Sequence, residues 1–182
     1  MPDLTEHTLS SESVYDGALL HVHRDVVRTP SGAESVREWV AHPGASAVVP
    51  LFADGTTVLI RQYRYPSRRE FLEVPAGKLD AGETPAVAAA RELAEEVGLR
   101  AATWTRLGVT YPTIGYSDEV ITLFLAEDVE AAEGTTDDDE HVVPVRLPFA
   151  EAVARARRGE IEDAKTAIAL LLADAVVSAR DR

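Results

Sequence analysis

Apolar positions along this chain follow two periods, and the switch between them marks out the elements. Leu19 to Arg28 alternates imperfectly and predicts a strand, and Glu34 to Ala41 predicts its return partner. Between them Thr29-Pro30-Ser31-Gly32 is a strong turn signal, with Pro and Gly at positions a type I turn favours. Ala45 to Leu51 is apolar enough for a buried strand, with Ala53-Asp54-Gly55 as a hairpin turn and Thr56 to Tyr63 as the paired strand. Phe71 to Pro75, Ala102 to Thr110, Glu119 to Ala126 and His141 to Arg146 predict four more strands. Tyr111 to Glu119 carries Pro and Gly breakers and reads as a loop. Pro148 to Arg158 is an amphipathic helix closed by Gly159, and Asp163 to Arg180 is an Ala/Leu-rich helix suited to packing on a sheet. Residues 1–12 read as a loosely ordered lead-in, and Glu127 to Glu140 as a solvated acidic loop. Strands first and last, with helices between and after, predict an α+β or α/β class with a mixed sheet.

One further helix has clear ends. Thr84 is the predicted N-cap, Pro85 suits the first helical position, and Gly98 can take the left-handed conformation that closes the helix. At about 100° per residue, Val87, Ala90, Leu93, Ala94 and Val97 fall on one arc, and Glu92, Glu95 and Glu96 on the opposite arc with Arg91 beside them. Three carboxylates then crowd the last turn, where the helix dipole is already negative. Glu92 and Glu96 are also a like-charge i, i+4 pair, which costs a few tenths of a kcal/mol. A solvated acidic face is the plain reading of ELAEE alone. The alternative is that a hard divalent cation such as Mg²⁺ or Mn²⁺ is the missing counter-charge.

The motif is longer than that pentapeptide. Gly77, Glu83, Arg91-Glu92-Leu93, Glu95-Glu96 and Gly98-Leu99 fix nine positions over the 23 residues from Gly77 to Leu99. Their spacing matches every fixed position of the Nudix box, so the chain resembles the Nudix hydrolases. That resemblance implies an α/β/α sandwich carrying the box as loop–helix–loop, with an extra N-terminal β-hairpin. It implies hydrolysis of a nucleoside diphosphate linked to another moiety, with Glu92, Glu95, Glu96 and the backbone carbonyl of Ala76 as metal ligands. Arg91 is then structural, pairing with Glu95 or with Glu83 to hold carboxylates in place.

Residues outside the box resemble the ADP-ribose pyrophosphatase branch. They are Glu73-Val-Pro-Ala-Gly77 before the box, Arg61-Gln-Tyr-Arg64 upstream, and Pro112 followed by Gly115-Tyr-Ser-Asp-Glu119 downstream. Thr113-Ile114 separates Pro112 from Gly115, whereas relatives place that Pro directly before the Gly. On this resemblance Arg64 and Arg37 bind phosphate or stack on the base, Glu38 and Glu73 read adenine or ribose hydroxyls, and Ser117 and Glu119 join the substrate pocket. The basic-aromatic stretch Tyr63 to Arg69 is explained by charge balance, or by an anionic, ring-bearing ligand. Relatives carry their proposed general base as a glutamate just before the strand that begins here near His141. That selects Glu140, and a one-residue shift selects Asp139. The opening hairpin exchanges between subunits in resembling enzymes, which implies a homodimer with Leu19, Leu20 and Arg37 near the interface or shared pocket. Residues 1–43 are thus the expected extension and 44–182 the hydrolase domain. The alternatives are another nucleotide sugar, such as GDP-mannose, or a non-catalytic nucleotide sensor. Sensors lose box carboxylates and add a DNA-binding module; this chain keeps every carboxylate, and no room for such a module is expected.

Composition narrows the partners. The 182 residues are 46% hydrophobic and 27% charged, an ordinary globular balance without a run long enough to span a membrane. The net charge of −13 repels nucleic acid and anionic lipid, so neither is an expected partner. It also repels a pyrophosphate substrate unless metal ions and local arginines reverse the sign. Cysteine is absent, and the five histidines (7, 21, 23, 42 and 141) lack zinc spacing. No signal peptide is expected from the polar N-terminus, and the expected location is cytoplasmic.

Overall fold

The computed structural model describes residues 2–132 and 141–180. They form two compact units: one of residues up to Pro43 together with Tyr111–Val120, the other of Gly44–Thr110 and the described residues from Ile121 onward.

The first unit is a three-stranded antiparallel sheet, β1 (His7–Asp16), β2 (His21–Arg28) and β3 (Glu34–Ala41), in that spatial order. Its β2–β3 turn is the predicted one: the Gly32 N–H donates to Thr29 O at 2.8 Å, and Gly32 sits at φ +85°, a conformation that suits glycine. The expected lead-in is instead a full strand. β1 pairs with β2 from His7↔Arg28 to Asp16↔His21, extending the expected hairpin to three strands. Every β1 residue is exposed, so no buried face imposes an apolar alternation. Its side-chain links are polar, such as Arg24 donating to Glu12 at 3.2 Å.

The second unit holds two sheets. One is a four-stranded mixed sheet in the order β7 (Ala76–Lys78), β4 (Ala45–Pro50), β9 (Ile121–Ala131), β8 (Leu99–Thr110), with β4 and β9 parallel. The other is antiparallel in the order β10 (Val142–Pro148), β5 (Thr56–Arg64), β6 (Arg69–Glu73). All six residues of β4 are buried, as a strand covered on both faces must be. Ala45, Ala47 and Val49, with Ile121, Leu123 and Leu125, pack against α2 (Phe149–Arg157) and α3 (Ala164–Arg180). Val48, Phe124 and Ala126 point to the other face and meet Ala89 and Leu93 of α1 (Pro85–Val97). This is the α/β/α sandwich of an α+β fold.

The expected β4–β5 hairpin does not form as a ladder. The turn is there, with Gly55 N–H donating to Phe52 O at 2.9 Å and Gly55 at φ +78°, but a single bridge, Leu51↔Thr57, joins the two strands. A strand buried on both sides needs a neighbour at each edge; β4 finds them in β7 and β9, while β5 leaves for β6 and β10.

Candidate active site

The ends of α1 are those its sequence dictates. Thr84 is the N-cap, Pro85 opens the helix, and Gly98 closes it at φ 65° with its N–H on Ala94 O. The buried face differs from the apolar arc. Val87 is 57% exposed, whereas Glu92 and Glu96 are 7% and 4% exposed, on the same side as Ala89 and Leu93. Periodicity weighted by hydrophobicity counts a carboxylate as outward, so it keeps Leu93 and Val97, which do pack on the core, but misses Glu92 and Glu96 beside them.

Burying carboxylates is costly unless they are hydrogen-bonded or paired. Arg91 supplies much of that compensation. Its Nε and Nη2 donate to the two oxygens of Glu83 at 3.1 and 3.0 Å, and Nη1 donates to Glu92 at 2.8 Å and Glu95 at 2.9 Å. Nη2 also donates to the carbonyl of Lys78 at 3.0 Å, tying the helix to β7. The pairing alternatives, Glu83 or Glu95, are therefore both realised. The hydrogen bonds to Glu83, followed by those to Glu95 and Glu92, hold Arg91 far above its ordinary pKa, so it stays charged. Glu83 is pushed below the usual carboxylate range by Arg91 and by the Asp80 N–H. Glu96 accepts from the Ala76 N–H at 2.8 Å, which fixes the backbone just before Gly77. A Cβ on Gly77 would lie 1.8 Å from Oε1 of Glu92, so that carboxylate sits in space only glycine leaves open.

Among the described residues no ready-made cage of three or more His, Cys, Asp or Glu ligands converges. The donor set still fits a hard divalent cation. Glu83, Glu92, Glu95 and Glu96 bring four carboxylates to α1 and its incoming loop, with Arg91 bound to three of them, and all are oxygen donors. The carbonyl of Ala76 belongs to the residue whose N–H holds Glu96.

A second cluster lies in the same unit. Arg64 grips Glu73 through two bonds of 2.7 Å, and Lys165 pairs with the same carboxylate. Lys165 also donates to Asp163 at 3.1 Å. Burial raises the pKa of Glu73, but the Arg64 hydrogen bonds and the Lys165 charge outweigh it, and the net shift is downward. These residues, with Ser67 and Phe71, line a pocket of about 260 Å³. The arginines of the basic-aromatic stretch are engaged locally: Arg68 stacks over Tyr65 at 3.6 Å, and Arg69 meets Glu162 at 2.8 Å. Lys165, Asp163 and Thr166 are absent from the sequence-derived site. Their one signal was an Asp at the N-cap of the last helix with Lys and Thr in its first turn.

The remaining candidates belong to the first unit or to no described segment. Arg37 is bonded to Glu6 at 2.9 and 2.5 Å, and Glu38 accepts from Arg24 at 3.2 Å. Ser117 donates to the Val40 carbonyl and accepts from the Glu119 N–H, both at 3.1 Å, and Glu119 lies 3.8 Å from His42. Glu140 and Asp139 fall outside the described residues.

Comparison with known proteins adds independent support. Residues 41–170 match the NUDIX domain model, and residues 6–40 match the nucleoside diphosphate sugar hydrolase N-terminal domain. The ADP-ribose pyrophosphatase of Bacillus subtilis (strain 168) is 37% identical over 172 residues, covering 93% of each chain. That of Mycobacterium tuberculosis (strain ATCC 25618 / H37Rv) is 39% identical, covering 96% of this chain and 87% of the relative. A crystal structure of an ADP compounds hydrolase superposes with a TM-score of 0.85 at 26% identity, over 99% of this chain and 98% of that one. Box, fold and relatives agree: the chain belongs to the NUDIX family and is a NUDIX hydrolase.

Proposed function

We propose that this enzyme hydrolyses the pyrophosphate of ADP-ribose to AMP and ribose 5-phosphate, using Mg²⁺ or Mn²⁺. The observation that carries the chemistry is the buried carboxylate face of α1, a costly arrangement that a bound cation repays. ADP-ribose is favoured by the Glu73–Gly77, Arg61–Arg64 and Gly115–Glu119 matches and by the relatives that bear that activity in their names.

Glu92, Glu95, Glu96 and the Ala76 carbonyl would hold the cation. The chemistry a cation supplies there is charge neutralisation on the pyrophosphate oxygens and orientation of the attacking water. The chain's own part is placement. Arg91 keeps Glu92 and Glu95 from repelling each other, and the Ala76 N–H keeps one oxygen of Glu96 in position. Arg64, with 42% of its side chain exposed, offers a guanidinium to a phosphate oxygen. Glu140 takes the proton of the attacking water as general base. Arg37, Glu38, Ser117 and Glu119 complete the nucleoside and ribose contacts.

The first unit serves a homodimer. Leu19 and Leu20 are 64% and 47% exposed, apolar surface that a second subunit could cover, and residues 1–43 would act as the dimerisation extension. Light scattering should give twice the monomer mass; a monomer active at nanomolar concentration would refute the dimer. Among the described residues no helix is long and apolar enough to cross a membrane. A cysteine-free chain acting on a nucleotide suits the cytoplasm. A panel of ADP-ribose, GDP-mannose and ATP, each with Mg²⁺ and with Mn²⁺, tests the substrate. ADP-ribose should give the highest kcat/KM, and a clearly higher value for GDP-mannose would overturn the assignment.

A further inference from the structure

Glu73 is 2% exposed yet carries two cations, Arg64 from the end of β5 and Lys165 from the first turn of α3. Only 13% of the Lys165 side chain is exposed, against 42% for Arg64. The ion pairs therefore run from a largely buried lysine, through a buried carboxylate, to a partly exposed arginine. The next residue of the same turn repeats the grip: Thr166 Oγ1 accepts from the Val74 N–H at 2.8 Å. Two adjacent side chains of α3 thus hold two adjacent residues of the segment leading to Ala76, whose N–H binds Glu96.

We infer that Lys165 is a positioning residue: it holds Glu73 so that Glu73 aims the Arg64 guanidinium at a phosphate oxygen of the substrate. This rests on Arg64 being a phosphate ligand, as proposed above. Arg64 uses Nε and Nη2 on Glu73, which leaves the orientation of the whole fork set by that carboxylate. Asp163 is close enough to act on Arg64 as a further negative charge. Glu96 acts on it in the same way, so even with Lys165 present two cations face three carboxylates. Without it, Glu73, Asp163 and Glu96 act on Arg64 alone, which then presents less positive charge to an anion in a chain already at −13.

The test is a double-mutant cycle read in KM and kcat, with thermal unfolding recorded for every variant. It uses whichever of ADP-ribose and GDP-mannose the wild type hydrolyses faster. K165M should raise KM by ~10-fold, within the range by which contacting residues couple, and leave kcat within a few-fold. K165R keeps the charge and should recover most of the loss. R64A should raise KM too, and R64A/K165M should be no worse than R64A, because Lys165 acts only through Arg64. If K165M multiplies KM by the same factor in both backgrounds, the proposal is overturned while the hydrolase reading stands. If K165M melts too low to assay, E73Q/K165M removes the buried charge on both sides and should show the same rise in KM; a wild-type KM there also overturns it. Hydrolysis of neither sugar by the wild type sinks the substrate reading and this inference together.

Discussion

Gly77→Ala isolates the carboxylate face of α1, the proposed metal site, without changing the sequence of α1. Gly77 is not among the positive-φ glycines, so alanine meets no backbone penalty there. It meets Glu92 instead, with Oε1, Cδ and Oε2 at 1.8, 2.2 and 2.7 Å from the new Cβ. To bring 1.8 Å up to the 3.0 Å floor of real Cβ contacts, the carboxylate must retreat by 1.2 Å. The displaced atom is the end of a flexible side chain, so the fold should survive, losing about 1–3 kcal/mol as overpacking typically does. Function has less slack. Oε1 is the oxygen bonded to Arg91 Nη1 at 2.8 Å, and the side chain is 10% exposed, with little room to swing outward. A misplacement of about 1 Å at a reacting centre can cost ~10²-fold, and that is the loss expected in kcat at saturating Mg²⁺. Half-activation should also need more Mg²⁺. Steady-state kinetics across a Mg²⁺ titration, with circular dichroism to confirm folding, reads both effects. A folded variant with kcat within about threefold of wild type and unchanged Mg²⁺ activation would refute the placement of Glu92 in the metal site.

Three further outcomes are expected. Glu96→Gln keeps an oxygen to accept the Ala76 N–H but removes the charge, so kcat should fall by at least ~10²-fold with Tm unchanged or slightly raised; wild-type turnover would remove Glu96 from the ligand set. Glu140→Gln should lose ~10²–10⁴-fold in kcat with little change in KM, as loss of a general base does, and a collapse in Asp139→Asn instead would shift the register by one. Glu73 lies below its ordinary value of 4.5, so its ionised form stabilises the fold above that pH and the benefit fades as pH falls through the depressed value. Glu73→Gln should therefore melt lower than wild type at pH 7, with the gap closing below about pH 4.5; an equal gap at pH 3 and pH 7 would show that the carboxylate contributes no ionised stabilisation.

Much of the fold was legible because turns and caps are local. Thr84, Pro85 and Gly98 bounded α1, and Gly32 closed the first turn, each by backbone chemistry that needs no tertiary partner. What misled was periodicity wherever burial departs from hydrophobicity. β1 has no buried face to imprint an alternation, so a ten-residue strand looked like a lead-in. α1 buries Glu92 and Glu96 and exposes Val87, so only part of the apolar arc, Leu93 and Val97, packs on the core, although the motif had already marked those glutamates as chemical. Lys165 stayed invisible because its role depends on a partner 92 positions earlier, and a lone lysine opening a helix carries no such information.

An acidic chain that acts on a pyrophosphate has to make its positive charge local, and the second unit does this at two levels. Arg91, held charged far above any working pH, spends its donors on Glu83, Glu92, Glu95 and the Lys78 carbonyl, so its charge is consumed in gathering carboxylates. What it gathers exceeds what it can neutralise, and that surplus of buried negative charge favours a divalent cation over a solvated state. Arg64 is arranged the other way. It binds one carboxylate, Lys165 shares that carboxylate's charge, and 42% of the side chain stays exposed. The same residue type therefore works inward in one cluster and outward in the other. The difference lies in the ratio of carboxylates to cations around it: three carboxylates on a single guanidinium beside α1, two cations on Glu73 beside α3.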